Sequence, residues 1–178
     1  GVQRAFALYR LEMNAEAFRE WVYALRGFDD RSLLAAAQAA REAGLADRAI
    51  GAADRTSAIH DFTQRYPVPH HEPLAAAARQ WSVDEALVFG IIRQESRFNA
   101  EARSRVGATG LMQLMPATAR WVAKQIPVPA YRPALLTQPE TNLQMGTYYF
   151  RRVLNDTPIG ELQSQHIRLA RERRAYLR

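Results

Sequence analysis

Helical spacing of apolar residues is the feature that most constrains this chain. From Arg4 to about Arg55 the sequence is dense in alanine, leucine and arginine, and its apolar residues recur at helical spacing in short blocks. No segment alternates apolar and polar residues long enough to indicate a β-sheet. The pattern therefore predicts an all-α protein with minimal strand content.

Turn and capping residues divide the first part of the chain into short helices. Asn14 is placed to cap the block AEAFREWVYAL, and Gly27 is placed to end it. Asp30 and Gly44 stand in the same relation to the block RSLLAAAQAAREA. We therefore expect two antiparallel hairpins, similar to units of an α-solenoid, which form a helical annex over residues 1–66.

A proline-containing stretch marks the predicted domain boundary. The segment DFTQRYPVPHHEP carries three prolines and shows no helical period, so it is interpreted as extended. Residues 67–73 are assigned to this linker and residues 74–178 to a second domain. In that domain Pro73 is expected to start a short helix.

Two capping-box patterns predict further helices in the second domain. Ser82 is followed three residues later by Glu85, and Thr137 is followed three residues later by Glu140. The helix after Thr137 has Pro139 in its first turn. Its predicted apolar face consists of Leu143, Gly146, Phe150, Val153 and Leu154, with Gly146 permitting close helix approach.

Charge and composition narrow the classes of partner. The chain has 178 residues, a formal net charge of +6 and no cysteine, which excludes disulfides and thiolate metal sites. The positive charge favours an anionic partner: nucleic acid, anionic lipid or a carboxylate-bearing cell wall. No run approaches the roughly 20 apolar residues of a transmembrane helix. The start at Gly1 without a basic and apolar leader indicates a mature or excised fragment whose targeting signal lies elsewhere.

No motif indicates a metal or a cofactor. The four histidines, His60, His70, His71 and His166, lack the spacing of metal ligands. The chain also has no glycine-rich phosphate loop and no G-x-S-x-G nucleophile elbow. We therefore expect neither nucleotide chemistry nor a serine hydrolase.

Glu95 is the residue that carries the predicted chemistry. In the helix SVDEALVFGIIRQES it shares a face with Val88, Ile91 and Ile92, so the apolar stripe ends in a carboxylate. Burial there would raise the pKa of Glu95 and let it act as a general acid near neutral pH. The alternative is that Glu95 reaches water at the helix end or pairs with a neighbouring arginine.

The segments around Glu95 resemble a known family. RQESRF, followed after a short gap by GATGLMQLMPATA, is similar to the signature of the family 1 lytic transglycosylases, whose catalytic domain has a goose-lysozyme-like fold. The resemblance implies that Glu95 is the single catalytic acid/base. It implies a substrate-binding set of Ser96, Phe98, Gly107, Ala108, Gly110, Met112, Gln113, Met115 and Tyr149.

Individual residues of these segments carry specific expectations. The Gln113 amide is favoured as a ligand for an N-acetyl group, whereas Leu111 and Leu114 are expected in the core. TNLQMGTYYFRR is similar to the family's N-L-x-x-G-x-x-Y-L segment, and Asn142 in it is expected to make structural hydrogen bonds. Aromatic residues on such a helix, Tyr149 included, are more often core than substrate contacts.

The resemblance also implies an activity. A helical annex before a RYPVPH-like stretch is similar to the soluble, large ring-shaped lytic transglycosylases. Such an enzyme cleaves the β-1,4 bond between N-acetylmuramic acid and N-acetylglucosamine of peptidoglycan in the periplasm, leaves 1,6-anhydromuramic ends, and needs no cofactor. Peptidoglycan glycan strands are therefore the expected partner, and nucleic acid is not.

Three alternative functions remain open. The family's A-Y-N-A-G-like motif has no match in NDTPIGELQSQHIRLARERRAYLR, which motivates a non-catalytic peptidoglycan-binding or scaffold protein. A hydrolytic, lysozyme-like muramidase is the alternative of the same fold, with Glu101 as a residue that would orient water. A nucleic-acid role for the basic stretch from Glu161 to Arg178 ranks below a solvated helix face.

Overall fold

The computed structural model describes residues 1–156 and divides the chain into two compact units between Pro69 and His70. Within these residues every regular element is helical, apart from two isolated β-bridges. The prediction of an all-α fold is confirmed. The basic stretch from Glu161 and most of the segment without the A-Y-N-A-G motif lie outside the described residues.

The first unit is built from helical hairpins. Helix α1 packs against α2 and helix α3 against α4, as the two-hairpin pattern predicted. Alanine dominates the core between these helices, because its small side chain permits close backbone approach. The helices are α1 (Val2–Arg10), α2 (Asn14–Ala24), α3 (Asp30–Glu42), α4 (Ala46–Ala53) and α5 (Phe62–Arg65).

Two helices of this unit do not begin with the predicted caps. Asn14 is the first residue of α2, and no side chain caps that helix. At α3 the cap is Asp29, whose carboxylate accepts a hydrogen bond of 2.8 Å from the Ser32 backbone N–H. Asp30 is therefore free for another contact, which sequence pattern alone does not reveal.

The Asp30 carboxylate holds the turn that follows α4. It accepts hydrogen bonds from the backbone N–H groups of Ser57 at 3.0 Å, Ala58 at 2.6 Å and Ile59 at 2.7 Å. These bonds favour the charged carboxylate and hold the pKa of Asp30 below its usual value. One side chain thus joins the start of α3 to a turn 27 to 29 residues later.

The proline-containing stretch is more helical than its composition predicted. Asp61 accepts from the backbone N–H groups of Thr63 and Gln64, and this cap starts the single turn of α5. The next helix begins at His71, two residues before the expected start. Pro73 is tolerated there because the first turn of a helix needs no backbone donor at that position.

The second unit consists of four α-helices and one 3₁₀ helix in its described part. Helix α6 packs against both α7 and α9. The core that joins α8, α9 and the 3₁₀ helix includes Leu114, Val122, Leu136 and Met145. The elements are α6 (His71–Trp81), α7 (Glu85–Glu95), α8 (Pro116–Val122), the 3₁₀ helix (Pro133–Thr137) and α9 (Pro139–Asn155).

The two predicted capping boxes do not form. Ser82 ends α6 in the left-handed conformation, with φ of +53°, and Asp84 caps α7 by accepting from the Ala86 N–H at 2.7 Å. The Thr137 hydroxyl donates to the Ala134 carbonyl, so it does not cap α9. Both helices still start within three residues of the predicted positions.

The predicted apolar face of α9 is partly correct. Leu143, Gly146 and Leu154 are buried, whereas Phe150 is half-buried and Val153 is exposed. Among residues 1–156, no helix is long and apolar enough to cross a membrane.

Candidate active site

The loop between α7 and α8, residues 96–115, contains the GATGLMQ segment and folds back on itself. We call it the motif loop. The Gly110 N–H donates to the Ala102 carbonyl at 2.9 Å, and the Ser104 N–H donates to the Ala108 carbonyl at 2.9 Å. Thr109 and Leu114 exchange two backbone hydrogen bonds of 3.1 Å each. Backbone hydrogen bonds therefore fix the conformation of the GATGLMQ segment.

Asn142 holds this loop against α9. Its Oδ1 accepts from the Met112 N–H at 2.8 Å, and its Nδ2 donates to the carbonyls of Thr109 at 3.0 Å and Leu136 at 2.9 Å. The side chain is fully buried. The prediction of a structural hydrogen-bonding role for Asn142 is confirmed, and it extends to three backbone groups in two separate segments.

Two glycines make the packing around Asn142 possible. Gly110 has φ of +81°, and a Cβ there would overlap the Leu136 carbonyl oxygen and the Asn142 amide. A Cβ on Gly146 would overlap the side chain of Met112. A close approach occurs at Gly146, but its partner is Met112 of the motif loop and not the helix that was expected.

Glu95 is the last residue of α7, and its side chain is exposed. The expectation that it is buried is wrong. Val88 and Ile92 are fully buried, but Ile91 is only half-buried, so the apolar stripe stops before the helix ends. Among the described residues Glu95 has no hydrogen bond and no ion pair, and pairing with Arg97 is not observed. The carboxylate faces water at the end of a helix, as the alternative proposed.

Ser96 connects the helix that carries Glu95 to the motif loop. Its Oγ lies 2.8 Å from the Leu111 carbonyl oxygen and 3.2 Å from the Ile92 carbonyl oxygen. The hydroxyl is therefore engaged with backbone carbonyls, and a substrate contact of Ser96 stays a prediction. This contact brings the RQESRF segment and the GATGLMQLMPATA segment together.

Phe98 lies in the core and not on the surface assigned to substrate. Its side chain is 5% exposed, and its ring centroid is 5.9 Å from that of Phe89. Arg97 and Phe98 both have positive φ, of 49° and 65°, so the chain turns sharply after Glu95. Phe98 therefore packs beneath this turn, and its substrate contact stays a prediction.

The Gln113 side chain is used by the loop itself. Its Nε2 donates to the Gly110 carbonyl at 2.8 Å and to the Ala102 carbonyl at 3.1 Å. Both amide hydrogens have backbone acceptors, so of the side-chain groups only Oε1 is available to an N-acetyl group. The expected substrate role of Gln113 is thereby restricted to accepting a hydrogen bond.

Exposure separates the remaining predicted site residues into two groups. Ala108, Gly110 and Met112 are buried and shape the loop, and Gly107 is half-buried. Met115 and Tyr149 are 40% and 38% exposed. The surface that a ligand can reach therefore includes Glu95, Met115 and Tyr149.

Trp121, an exposed aromatic residue, lies outside the family motifs. Trp121 on α8 is 40% exposed and lies beside Tyr148 and Tyr149. The only sequence feature that could have indicated Trp121 is its position shortly after the GATGLMQLMPATA segment. In residues 1–156 no group of three or more acidic or histidine side chains has the geometry of a metal site.

Comparison with known proteins gives consistent results over both units. A family model described as "Transglycosylase SLT domain" matches residues 72–165, and one described as "Soluble lytic murein transglycosylase L domain" matches residues 1–61. A soluble lytic murein transglycosylase of Salmonella typhimurium is 38% identical over 91 residues, which are 51% of this chain and 14% of the relative. A putative soluble lytic murein transglycosylase of Haemophilus influenzae is 28% identical over 85% of this chain and 26% of the relative.

Solved structures show the same similarity. An inactive mutant of the lytic transglycosylase Slt from Pseudomonas aeruginosa has a TM-score of 0.78 at 33% identity. The 70-kDa soluble lytic transglycosylase SLT70 from Escherichia coli has a TM-score of 0.71 at 28% identity. Each match covers 86% of this chain and 25% of the other, so this chain spans about a quarter of those proteins. The predicted lysozyme-like helical fold is confirmed, and the chain belongs to the soluble lytic transglycosylase family.

Proposed function

We propose that this chain carries the catalytic site of a peptidoglycan lytic transglycosylase, with Glu95 as its single acid/base. The observation that carries the proposal is the position of Glu95: an exposed carboxyl at the end of α7, linked through Ser96 to the motif loop. In the Pseudomonas aeruginosa Slt structure, the mutant described as inactive replaces one glutamate by glutamine. That substitution supports an essential glutamate in the family.

The proposed reaction uses one carboxyl group twice. Protonated Glu95 donates its proton to the glycosidic oxygen between N-acetylmuramic acid and N-acetylglucosamine, and the bond from that oxygen to the anomeric carbon breaks. The acetamido group of the muramic residue stabilises the cationic centre. The Glu95 carboxylate then takes the proton of the muramic 6-hydroxyl, whose oxygen bonds the anomeric carbon. No water is consumed, and the product is a 1,6-anhydro ring.

Exposure of Glu95 in the free protein is compatible with this chemistry. A glycan strand lying over the helix end would exclude water from the carboxyl during the reaction. The protein contributes the position of the carboxyl, and the bound substrate contributes the desolvation.

The proposal also includes the compartment and the domain organisation. Peptidoglycan glycan strands are the substrate, and the periplasm is where the chain would meet them. Residues 1–66 would form the helical annex, residues 67–73 the linker and residues 74–178 the transglycosylase domain.

Replacement of Glu95 by glutamine tests the catalytic assignment. We expect Glu95→Gln to lower muropeptide release from purified sacculi by about a thousandfold or more, because the amide neither donates nor accepts the required proton. The matched control is Glu140→Gln, an exposed glutamate in the first turn of α9, which should stay within a few-fold of the parent. Equal release by the parent and Glu95→Gln would exclude the assignment.

Product mass distinguishes the lyase from the muramidase. The anhydro product has the summed mass of the unbroken strand, whereas hydrolysis adds one water to each cleavage. Mass spectrometry of the released muropeptides should show anhydromuramic ends. Reducing muramic ends would show a hydrolase instead, and sacculus binding without release would show a non-catalytic binder.

A further inference from the structure

Four aromatic residues of the second unit form one cluster. The ring of Tyr148 lies 4.9 Å from Trp81 in an edge-on arrangement and 6.2 Å from Trp121. Trp121 in turn meets Tyr149 at 6.5 Å with an interplanar angle of 77°. Trp81 and Tyr148 are half-buried, whereas Trp121 and Tyr149 are 40% and 38% exposed. The cluster therefore has an inner pair, Trp81 and Tyr148, which supports an exposed outer pair, Trp121 and Tyr149.

The outer pair is held in place by the core. Ala119 and Val122, on either side of Trp121 along α8, have no exposed surface. The Trp121 ring rests against both tyrosines of α9. An aromatic residue held this way leaves apolar surface in water, which costs free energy that a ligand covering it would regain.

Tyr149 lies on the side of α9 that packs against the motif loop. Asn142, Gly146 and Tyr149 follow one another at helical spacing on one side of α9. The first two contact the loop at Met112, through a hydrogen bond of 2.8 Å and through close packing. Tyr149 is one turn further along the same side, and its ring contacts that of Trp121.

The geometry fits a sugar ring better than a purely apolar ligand. Nearly perpendicular rings form a corner, with one aromatic face beside the edge of the other. A pyranose with equatorial substituents presents a flat C–H face to an aromatic ring, while its hydroxyl and acetamido groups remain at the rim. The Tyr149 hydroxyl and the Trp121 indole N–H are polar groups suited to that rim.

We infer that Trp121 and Tyr149 form a stacking subsite for one N-acetylhexosamine ring of a glycan strand, and that Trp121 positions the strand for cleavage. This inference rests on the proposed function, because the ring that it binds belongs to the proposed substrate. Trp121 is a positioning residue and takes no part in proton transfer.

Binding measured without cleavage tests the subsite separately from the catalytic assignment. In the full 178-residue chain carrying Glu95→Gln, we would titrate chitotetraose and peptide-free glycan strands and follow tryptophan fluorescence and calorimetry. Adding Trp121→Ala should weaken binding about tenfold, since the stacked face is lost. Adding Trp121→Phe, which keeps a face, should stay within about threefold.

The matched control is Phe62→Ala, an exposed aromatic residue of the first unit, which should leave glycan affinity unchanged. Equal affinity of the Glu95→Gln chain with and without Trp121→Ala would overturn the subsite, while the proposed function would stand if cleavage still depends on Glu95. Equal weakening by Phe62→Ala would also overturn it. Absence of any glycan binding would overturn the subsite and the proposed function together.

With Glu95 intact, the kinetic effect gives a second readout. Loss of a binding contact remote from the reacting bond should raise KM more than it lowers kcat. A Trp121→Ala variant with unchanged KM and lowered kcat would contradict a positioning role through strand binding.

Discussion

Each of the two units fixes a loop with one polar side chain that bonds three backbone groups, but the two side chains differ in charge and burial. Asn142 in the second unit is a neutral amide with no exposed surface. Asp30 in the first unit is an ionised carboxylate at a solvent-exposed helix start. The amide both donates and accepts, so it can join two carbonyls and an N–H, whereas the carboxylate only accepts.

The difference in burial predicts that replacing Asn142 and replacing Asp30 lower the free energy of unfolding by different amounts. Buried backbone groups that lose their partner cannot turn to water, while exposed ones can. The motif loop of the candidate active site therefore depends on Asn142 more than the turn after α4 depends on Asp30. The motif loop of the candidate active site is therefore held by a side chain that does not titrate.

The largest effect on stability is expected for Asn142→Asp. The change keeps the shape of the side chain but removes the two donated hydrogen bonds, and it places a carboxylate against the carbonyls of Thr109 and Leu136. We expect the free energy of unfolding to fall by about 3 kcal/mol or more at neutral pH, together with loss of muropeptide release. Urea denaturation measures the first quantity.

Asn155→Asp is the matched control, because Asn155 is exposed at the end of the same helix. It should change the unfolding free energy by no more than about 0.5 kcal/mol. Similar denaturation midpoints for the two variants would show that the buried amide is not what holds the loop.

Substitution of Gly110 gives the next largest effect. Gly110→Ala adds a Cβ at φ of +81° and against the Leu136 carbonyl, so we expect a loss of about 2–3 kcal/mol. Gly107→Ala separates the two causes. Gly107 has φ of +92°, but the nearest atom to an added Cβ is a Pro116 side-chain carbon at an ordinary 3.6 Å.

Strain without a clash should cost Gly107→Ala about 1 kcal/mol. The difference in unfolding free energy between Gly107→Ala and Gly110→Ala, from thermal or urea denaturation, then measures the cost of the clash at position 110. A Gly107→Ala variant less stable than Gly110→Ala would contradict the geometry described for this loop.

The smallest effect is expected for Asp30→Asn, and it should depend on pH. The folded-state pKa of Asp30 is lowered, so its contribution to stability is present above the unfolded-state value of about 3.8. That contribution is lost as the pH falls through the folded-state pKa. The unfolding free energies of the parent and Asp30→Asn should therefore differ near neutral pH and converge well below pH 3.8.

Asp156→Asn, an exposed carboxylate at the end of α9, is the control for a general charge effect. The matching pH series for Asn142→Leu should keep its full destabilisation in acid, since no carboxylate is involved. A difference between the parent and Asp30→Asn that grows as the pH falls would contradict the assigned sign.

Local pattern predicted the helices but not their first residues. Asp29 caps α3 where Asp30 was expected, and Asp84 caps α7 where Ser82 was expected. In both places several polar residues within three positions are able to cap, so their local preferences are nearly equal. Long-range contacts decide between them, as the bonds from Asp30 to the turn at 57–59 show.

Within the candidate site, the motifs do not specify the environment of each side chain. Phe98, Met112 and Gln113 were expected to contact substrate, yet Phe98 and Met112 are buried and the Gln113 amide bonds the loop backbone. A motif records which residues occur together and does not distinguish contact with a ligand from support of its surroundings. Trp121 lies outside the motifs, so only its ring contacts revealed it.

By itself, the sequence determined the all-α class, the hairpins of the first unit, and the family through its Glu95, GATGLMQ and Asn142 segments. Periodicity and motif spacing are properties of neighbouring residues, so they can be read along the chain. Only the tertiary structure decided that Glu95 is exposed, that Asn142 joins two separate segments, and that Trp121 meets Tyr149. Burial and hydrogen bonding depend on which distant segments pack together, and helical spacing places a residue on a face without specifying what covers it.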